Sequence, residues 1–102
     1  MSLDFAIRDD DGKPRVAIHL DEDTHFEFIE AAKQANLAIS RLFSEFYEDA
    51  SVETHQLAEL QTELKVLLSK KIDANTRFFV EKLLDLVELA LTKDKPIIAV
   101  AD

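Results

Sequence analysis

A run of three carboxylates, Asp9–Asp11, stands directly before Gly12, the only glycine of the chain. Carboxylates beside a glycine are typical of calcium-binding loops, in which the glycine is the sixth residue and acidic residues occupy the first and twelfth positions. With Gly12 in the sixth position, the first and twelfth residues are Ile7 and Ile18, which cannot bind the ion. The run therefore predicts a solvated turn and no calcium site.

The three histidines do not have the spacing of a metal or catalytic site. His25 is followed by Glu27 and Glu30, but the helical zinc motif needs a second histidine one turn after the first. His19 alternates with the apolar residues of an expected strand, so we expect its side chain on the outer face of a sheet. His55 lies far from both in sequence. The histidines predict neither a metal site nor a general base.

Nucleophilic catalysis and phosphate binding are also disfavoured. The chain has no cysteine, which excludes disulfides, thiolate metal sites and cysteine nucleophiles. A single glycine cannot build a phosphate-binding loop, and no serine has the glycine-flanked turn of a serine hydrolase. A net charge of −9 disfavours nucleic-acid binding, because phosphates need a basic face. We expect a protein without enzymatic activity, metal or cofactor.

Negative charge is concentrated in the first part of the chain. Residues 1–56 contain 13 acidic and five basic residues, a formal charge of −8, whereas residues 57–102 contain eight and seven and carry −1. Such a local excess attracts a basic partner.

Within that part, five residues form the predicted partner-binding site: Glu45, Tyr47, Glu48, Asp49 and Glu53. A helix ending at Tyr47 would place Glu48 and Asp49 at its carboxyl end, where the helix dipole disfavours an exposed carboxylate by ~0.3–1 kcal/mol. Local rules broken without compensation often mark function, and tyrosine is enriched among residues that dominate interface energies. The alternative is a solvated acidic loop with Tyr47 partly packed. If this segment is not the contact surface, the runs Asp9–Asp11 and Asp21–Asp23 are the next candidates.

Two strands are predicted near the amino terminus. Apolar residues alternate with other residues at Leu3, Phe5 and Ile7, and again at Val16, Ile18 and Leu20. The intervening Asp9–Pro14 contains the only glycine, so we expect a β-hairpin whose apolar face is covered by helices.

Four helices and a last strand follow. Thr24 and Glu27 fit a capping box at the start of the first helix, Asn36 is a plausible stop, and the expected inward residues are Phe26, Phe28, Ile29, Ala32 and Ala35. A second helix is predicted from Ile39 to Tyr47. Ser51 is the expected cap of a third, which has the spaced leucines Leu57, Leu60, Leu64 and Leu67.

The fourth helix starts at Asp73 or Asn75 and is apolar on most sides, so we expect it to be central. Residues 97–101 are predicted to form a strand that completes the sheet. The predicted fold is α+β, with a small three-stranded antiparallel or mixed sheet (the hairpin plus the carboxyl-terminal strand) packed against about four helices. At 102 residues we expect one domain over 1–102. The first residues lack the basic and apolar stretches of a signal peptide, and no apolar run reaches the ~20 residues that a membrane helix needs, so we expect a cytoplasmic protein that binds no membrane.

The order of these features resembles the small immunity proteins that are found beside polymorphic bacterial toxins of contact-dependent inhibition and type VI secretion. The resemblance covers nearly the whole chain. It is carried by an opening of type LDF-I (Leu3–Ile7), an acid-rich helix start, the tetrapeptide Phe46–Asp49, a leucine-spaced helix and the closing sequence IIAVAD.

The resemblance implies an inhibitor that binds one cognate toxin by stoichiometric protein–protein interaction and performs no chemistry. A nuclease toxin must bind phosphates and tends to be basic, and an acidic inhibitor would associate with it rapidly. Both an active-site plug and a clamp on another surface fit the resemblance, as do a monomer and a homodimer. The alternative is an acidic adaptor or regulatory protein that binds a host-cell protein.

Overall fold

A four-stranded antiparallel sheet in the order β2-β1-β4-β3 organises the fold. The computed structural model describes residues 2–8, 10–13, 18–45 and 47–101. Its strands are β1 (Leu3–Ala6), β2 (Ile18–Leu20), β3 (Ala50–Val52) and β4 (Ile97–Ala101). Its helices are α1 (Glu22–Gln34), α2 (Ile39–Leu42), α3 (Leu57–Leu68) and α4 (Ala74–Lys93), with a short 3₁₀ helix at Thr54–Gln56.

The last strand, β4, lies inside the sheet, between β1 and β3. Phe5 of β1 lies opposite Ala99 of β4, and Val52 of β3 lies opposite Ile97. The predicted α+β class, the amino-terminal hairpin and the carboxyl-terminal strand are confirmed. The predicted count of three strands is wrong, because residues 50–52 form a fourth.

That fourth strand replaces the predicted helix start at Ser51. Ser51 pairs with Ile98, and the next residue, Val52, is fully buried. Without β3, one side of β4 would present unpaired backbone amides and carbonyls. The pairing satisfies these groups, which outweighs the preference of serine for a helix cap.

One face of the sheet is buried against the helices. Side chains of successive strand residues point to opposite faces, and the residues of the inner face are buried: Leu3, Phe5, Leu20, Val52, Ile97 and Ala99. On the other face His19 is exposed, as predicted, and its Nδ1 lies 2.7 Å from Oδ1 of Asp4 on the neighbouring strand. Because this second face is open to solvent, apolar residues alternate with other residues along the strands.

The predicted turn after β1 is seen in part. Residues 10–13 are exposed, and Gly12 adopts a φ of 84°, a left-handed conformation that glycine reaches without strain. Asp9, Pro14 and Val16, which we assigned to the turn and the second strand, lie outside the described residues.

Helix α1 begins one turn earlier than predicted. Its N-cap is Asp21, whose Oδ1 accepts a hydrogen bond from the amide of Thr24 at 2.7 Å, so the capping box proposed at Thr24 is wrong. The acidic residues Glu22 and Asp23 instead occupy the first turn, where the helix dipole favours them. Asn36 follows the helix with a φ of 57°, in agreement with its predicted role as a stop.

The single turn α2 replaces the helix that we predicted from Ile39 to Tyr47. Phe43 directly after it is buried, and its carbonyl oxygen lies 2.6 Å from Nε2 of His25 in α1. Phe43 itself has φ −122° and ψ 24°, outside the helical region, so the helix ends before it and the contact with His25 holds the chain in this turned-away conformation. In the part of the chain that the structure describes, three long helices, the single turn α2 and the short 3₁₀ helix take the place of about four helices.

The leucine-spaced helix α3 and the long helix α4 are confirmed. Leu57, Leu60, Leu64 and Leu67 are buried, and Asp73 caps α4 by accepting from the amide of Thr76 at 3.0 Å. Helix α4 packs against α1, α3 and β2. No helix formed by the described residues combines the length and the apolar character needed to cross a membrane.

Four phenylalanines join these elements in the core. Phe5 of the sheet lies 5.1 Å, centroid to centroid, from Phe43 after α2 and 5.5 Å from Phe79 of α4. Phe79 in turn lies 5.1 Å from Phe28 of α1 in an edge-to-face arrangement, which is the favoured geometry for aromatic pairs. The cluster packs the middle of α1 and the chain after α2 against β1 and α4.

Candidate protein-binding surface

The five predicted site residues lie in the segment that joins α2 to the 3₁₀ helix, and all five are exposed: Glu45, Tyr47, Glu48, Asp49 and Glu53. The helix before them ends at Leu42. Glu48 and Asp49 are therefore not at a helix carboxyl end, and the dipole penalty that we inferred from the sequence does not apply. Phe46, between Glu45 and Tyr47 in the sequence, lies outside the described residues.

The Asp49 side chain contacts the sheet, although the residue itself precedes β3. Its Oδ1 accepts a hydrogen bond from the amide of Ala101 at 2.8 Å. The pairing of β3 with β4 reaches Ala50 opposite Ala99, so the Asp49 side chain supplies an acceptor just beyond the last backbone pair. This contact gives Asp49 a structural role that the sequence did not reveal.

Glu53 is likewise engaged in the fold. It is the N-cap of the 3₁₀ helix that leads into α3, and its amide donates to Oε1 of Gln56 at 2.9 Å. Its Oε1 accepts from the hydroxyl of Ser51 at 3.0 Å. Glu45 and Glu48 lie within one turn of the chain, in which the amide of Glu48 is 3.4 Å from the carbonyl oxygen of Glu45.

Tyr47 connects this segment to the amino terminus of α1. Its side chain is 58% exposed, and its hydroxyl donates to Oε2 of Glu22. The hydrogen bond to Glu22, partial desolvation and the negative charge of that carboxylate together raise the pKa of the Tyr47 phenol above its usual value. Tyr47 thereby brings the acidic residues after α2 beside the acidic residues that begin α1.

The two acidic segments are distant in sequence. Glu22 and Tyr47 are separated by 25 positions. The only feature of the sequence that pointed to this end of α1 as part of the acidic surface was the run of acidic residues at its start. From the sequence, Asp21–Asp23 was predicted to be the contact surface only if the segment 45–53 was not. The structure instead brings both together through one side-chain contact.

Two buried polar side chains hold the segment before this surface in place. His25 binds the carbonyl of Phe43, as described above. Glu63 of α3, 8% exposed, accepts from the amides of Ala38 and Ile39 at 3.2 and 2.9 Å. The leucine spacing of α3 predicts its buried residues without Glu63, so this contact could not be predicted from the pattern.

A metal site or a ligand pocket would be another kind of functional site among the described residues. Among residues 2–8, 10–13, 18–45 and 47–101, no group of three or more histidine or acidic side chains is arranged to hold a metal ion. An open cleft of about 600 Å³ lies at the opposite edge of the sheet, beside β2, and is lined by Ile18, His19, Phe78, Lys82 and Leu89 among others. It contains none of the predicted site residues.

Comparisons of the chain with protein-family models, with curated proteins and with solved structures found no match.

Proposed function

We propose that the protein is an immunity protein that binds a cognate toxin domain of basic charge and neutralises it by stoichiometric association, without catalysis. The contact between Tyr47 and Glu22 carries the proposal, because it makes one acidic surface from two segments that are far apart in the chain. A partly exposed tyrosine amid carboxylates is a good anchor for a basic protein surface.

Charge supports the same kind of partner. The first 56 residues, which include both acidic segments, carry −8. A surface of one sign accelerates the association of an oppositely charged protein and rejects partners of the same sign. A toxin domain that acts on nucleic acid has to be basic where it holds phosphates, so it is the class of toxin that this surface fits best.

The five predicted residues divide into two groups. Glu45, Tyr47 and Glu48 are proposed to contact the toxin directly, because they are exposed and lie in the turn that meets α1. Asp49 and Glu53 add negative charge but are proposed to act mainly by holding that turn against the sheet and the 3₁₀ helix. Glu22 joins the first group through its bond to Tyr47.

Co-expression tests the proposal. The carboxyl-terminal domain of the protein encoded directly upstream is produced in growing cells with and without this protein, and growth and co-purification are measured. We expect the wild-type protein to restore growth and to co-purify with the domain in a fixed ratio. The double variant Glu45→Lys/Glu48→Lys should protect less, whereas Glu81→Lys/Glu88→Lys, with the same charge change on α4, should protect fully.

Two outcomes would contradict the proposal. Absence of both protection and co-purification for the wild-type protein would reject the immunity function. Binding without protection would favour the adaptor function instead, since an adaptor has no reason to neutralise its partner.

A further inference from the structure

A large aromatic side chain on α1 is exposed where the sequence predicts burial. Phe26 was expected to face the core, but it is 60% exposed. The buried face of α1 is formed by His25, Phe28, Ile29 and Ala32. The helix could not bury Phe26 as well, because residue 26 is rotated about 100° from His25 around the helix axis.

Phe26 lies beside the acidic surface described above. Residues four apart are neighbours on a helix, so Phe26 adjoins Glu22 on one side and Glu30 on the other. Glu22 is the residue that accepts the hydrogen bond of Tyr47. The two exposed aromatic side chains, Phe26 and Tyr47, therefore flank the same carboxylate.

We infer that Phe26 is a second anchor for the toxin, entering an apolar recess in the basic surface that contacts Glu22 and Tyr47. The inference rests on the proposed function. The occupant follows from the surroundings of the ring: Glu22 and Asp23, one turn before it on α1, favour a partner with positive charge around an apolar centre, whereas Glu30, one turn after it, is paired with Lys33 at 3.9 Å. An aromatic centre ringed by polar residues is also the usual arrangement of the side chains that dominate a protein–protein interface.

The chain contains a matched control for Phe26. Phe78 of α4 is 64% exposed, and Nζ of Lys82 lies 5.4 Å from its ring centroid. It lines the cleft beside β2, and neither Tyr47 nor Glu22 is among the residues that line this cleft. The two phenylalanines are thus equally exposed helix residues, one beside acidic groups and one beside a lysine.

The experiment measures binding of the same upstream-encoded domain to immobilised wild-type protein and to Phe26→Ala, Phe26→Leu and Phe78→Ala, with a melting curve for each. We expect Phe26→Ala to weaken binding on the order of 30-fold, which is the threshold of an interface hot spot. The loss should appear mainly in the dissociation rate. Phe26→Leu should give a smaller loss, Phe78→Ala none, and all three melting temperatures should match that of the wild type.

The outcomes separate the inference from the proposed function. The inference is overturned if the wild-type protein binds and Phe26→Ala binds with unchanged rates. It is also overturned if Phe26→Ala and Phe78→Ala lose the same amount of affinity. Neither result contradicts the immunity function. No binding by the wild-type protein overturns both. A selective loss for Phe26→Ala with an unchanged melting temperature establishes Phe26 as an anchor.

Discussion

Glu63 of α3 caps the amino terminus of α2 from a different helix, with its Oε1 2.9 Å from the amide nitrogen of Ile39. The single turn of α2 is too short to be stable by itself, and its N-cap residue, Ala38, makes no side-chain hydrogen bond to it. A buried carboxylate that accepts two amides replaces the missing cap. Glu63 therefore connects the stability of α3 to the position of the chain that leads to Tyr47.

Removal of this carboxylate should destabilise the protein. We expect Glu63→Ala to lower the free energy of unfolding by ~1–3 kcal/mol, because the substitution leaves two amides without their acceptor. Glu59→Ala, an exposed position on the same helix, should change it by less than ~0.5 kcal/mol. Urea unfolding of the three proteins measures both values. Similar losses for the two variants would mean that the capping contact contributes nothing.

Asp49 and Glu48 should respond differently to charge reversal, although they are adjacent and both exposed. Asp49→Lys removes the acceptor of the Ala101 amide at the end of β4 and should cost ~0.5–1.5 kcal/mol of stability. Glu48→Lys should leave stability within ~0.5 kcal/mol of the wild type. Thermal or urea unfolding of the two single variants is the measurement, and equal midpoints would rule out the structural role of Asp49.

The difference between these neighbours shows where sequence reasoning fails for the site. Acidity and exposure of residues 45–53 could be inferred from composition, but the role of Asp49 depends on Ala101, which is 52 positions away. The same holds for Tyr47 and Glu22. A pattern of charges cannot reveal which carboxylates are engaged, since only the folded chain brings their partners near.

The fold could be predicted where the signal is local. Helices α3 and α4 follow from leucine spacing and the Asp73 cap, β1 follows from alternation, and β4 follows from its short run of β-branched residues. The prediction was wrong where a distant partner matters: β3 pairs with the edge of β4, and the chain after α2 leaves the helical conformation at Phe43, whose carbonyl is held by His25 of α1. At α1 two local caps competed, and Asp21 prevailed over Thr24.

The Tyr47–Glu22 contact predicts a pH dependence that absorbance can follow, because Tyr47 is the only tyrosine and the chain has no tryptophan. The phenol should ionise above its reference pKa of 10.0. The pKa of the phenol is higher in the folded than in the unfolded protein. The contact therefore contributes its full stabilisation at a pH below the pKa of the unfolded state, and this contribution is lost as the pH rises through the pKa of the folded state.

A substitution at Glu22 tests the cause of that shift. Glu22→Gln removes the negative charge, so tyrosinate should form at a lower pH than in the wild-type protein. Glu88→Gln, which removes one charge from α4, should leave the titration midpoint unchanged. An ultraviolet titration of the three proteins gives the midpoints, and identical curves for Glu22→Gln and the wild type would show that Glu22 does not contact the phenol in solution.

Electrostatic attraction to a basic toxin should appear in the rate of association. Glu48→Lys reverses a charge on the proposed surface and, unlike Asp49→Lys, does not remove the acceptor of the Ala101 amide. It should therefore slow association with the upstream-encoded domain on the order of 5-fold at low salt. The effect should shrink near 0.1 M salt, where the screening length is ~10 Å. Glu81→Lys makes the same change of net charge on α4 and should slow association much less. Rates measured at two ionic strengths decide the matter: equal slowing by both variants would assign the attraction to net charge and not to the surface around Tyr47.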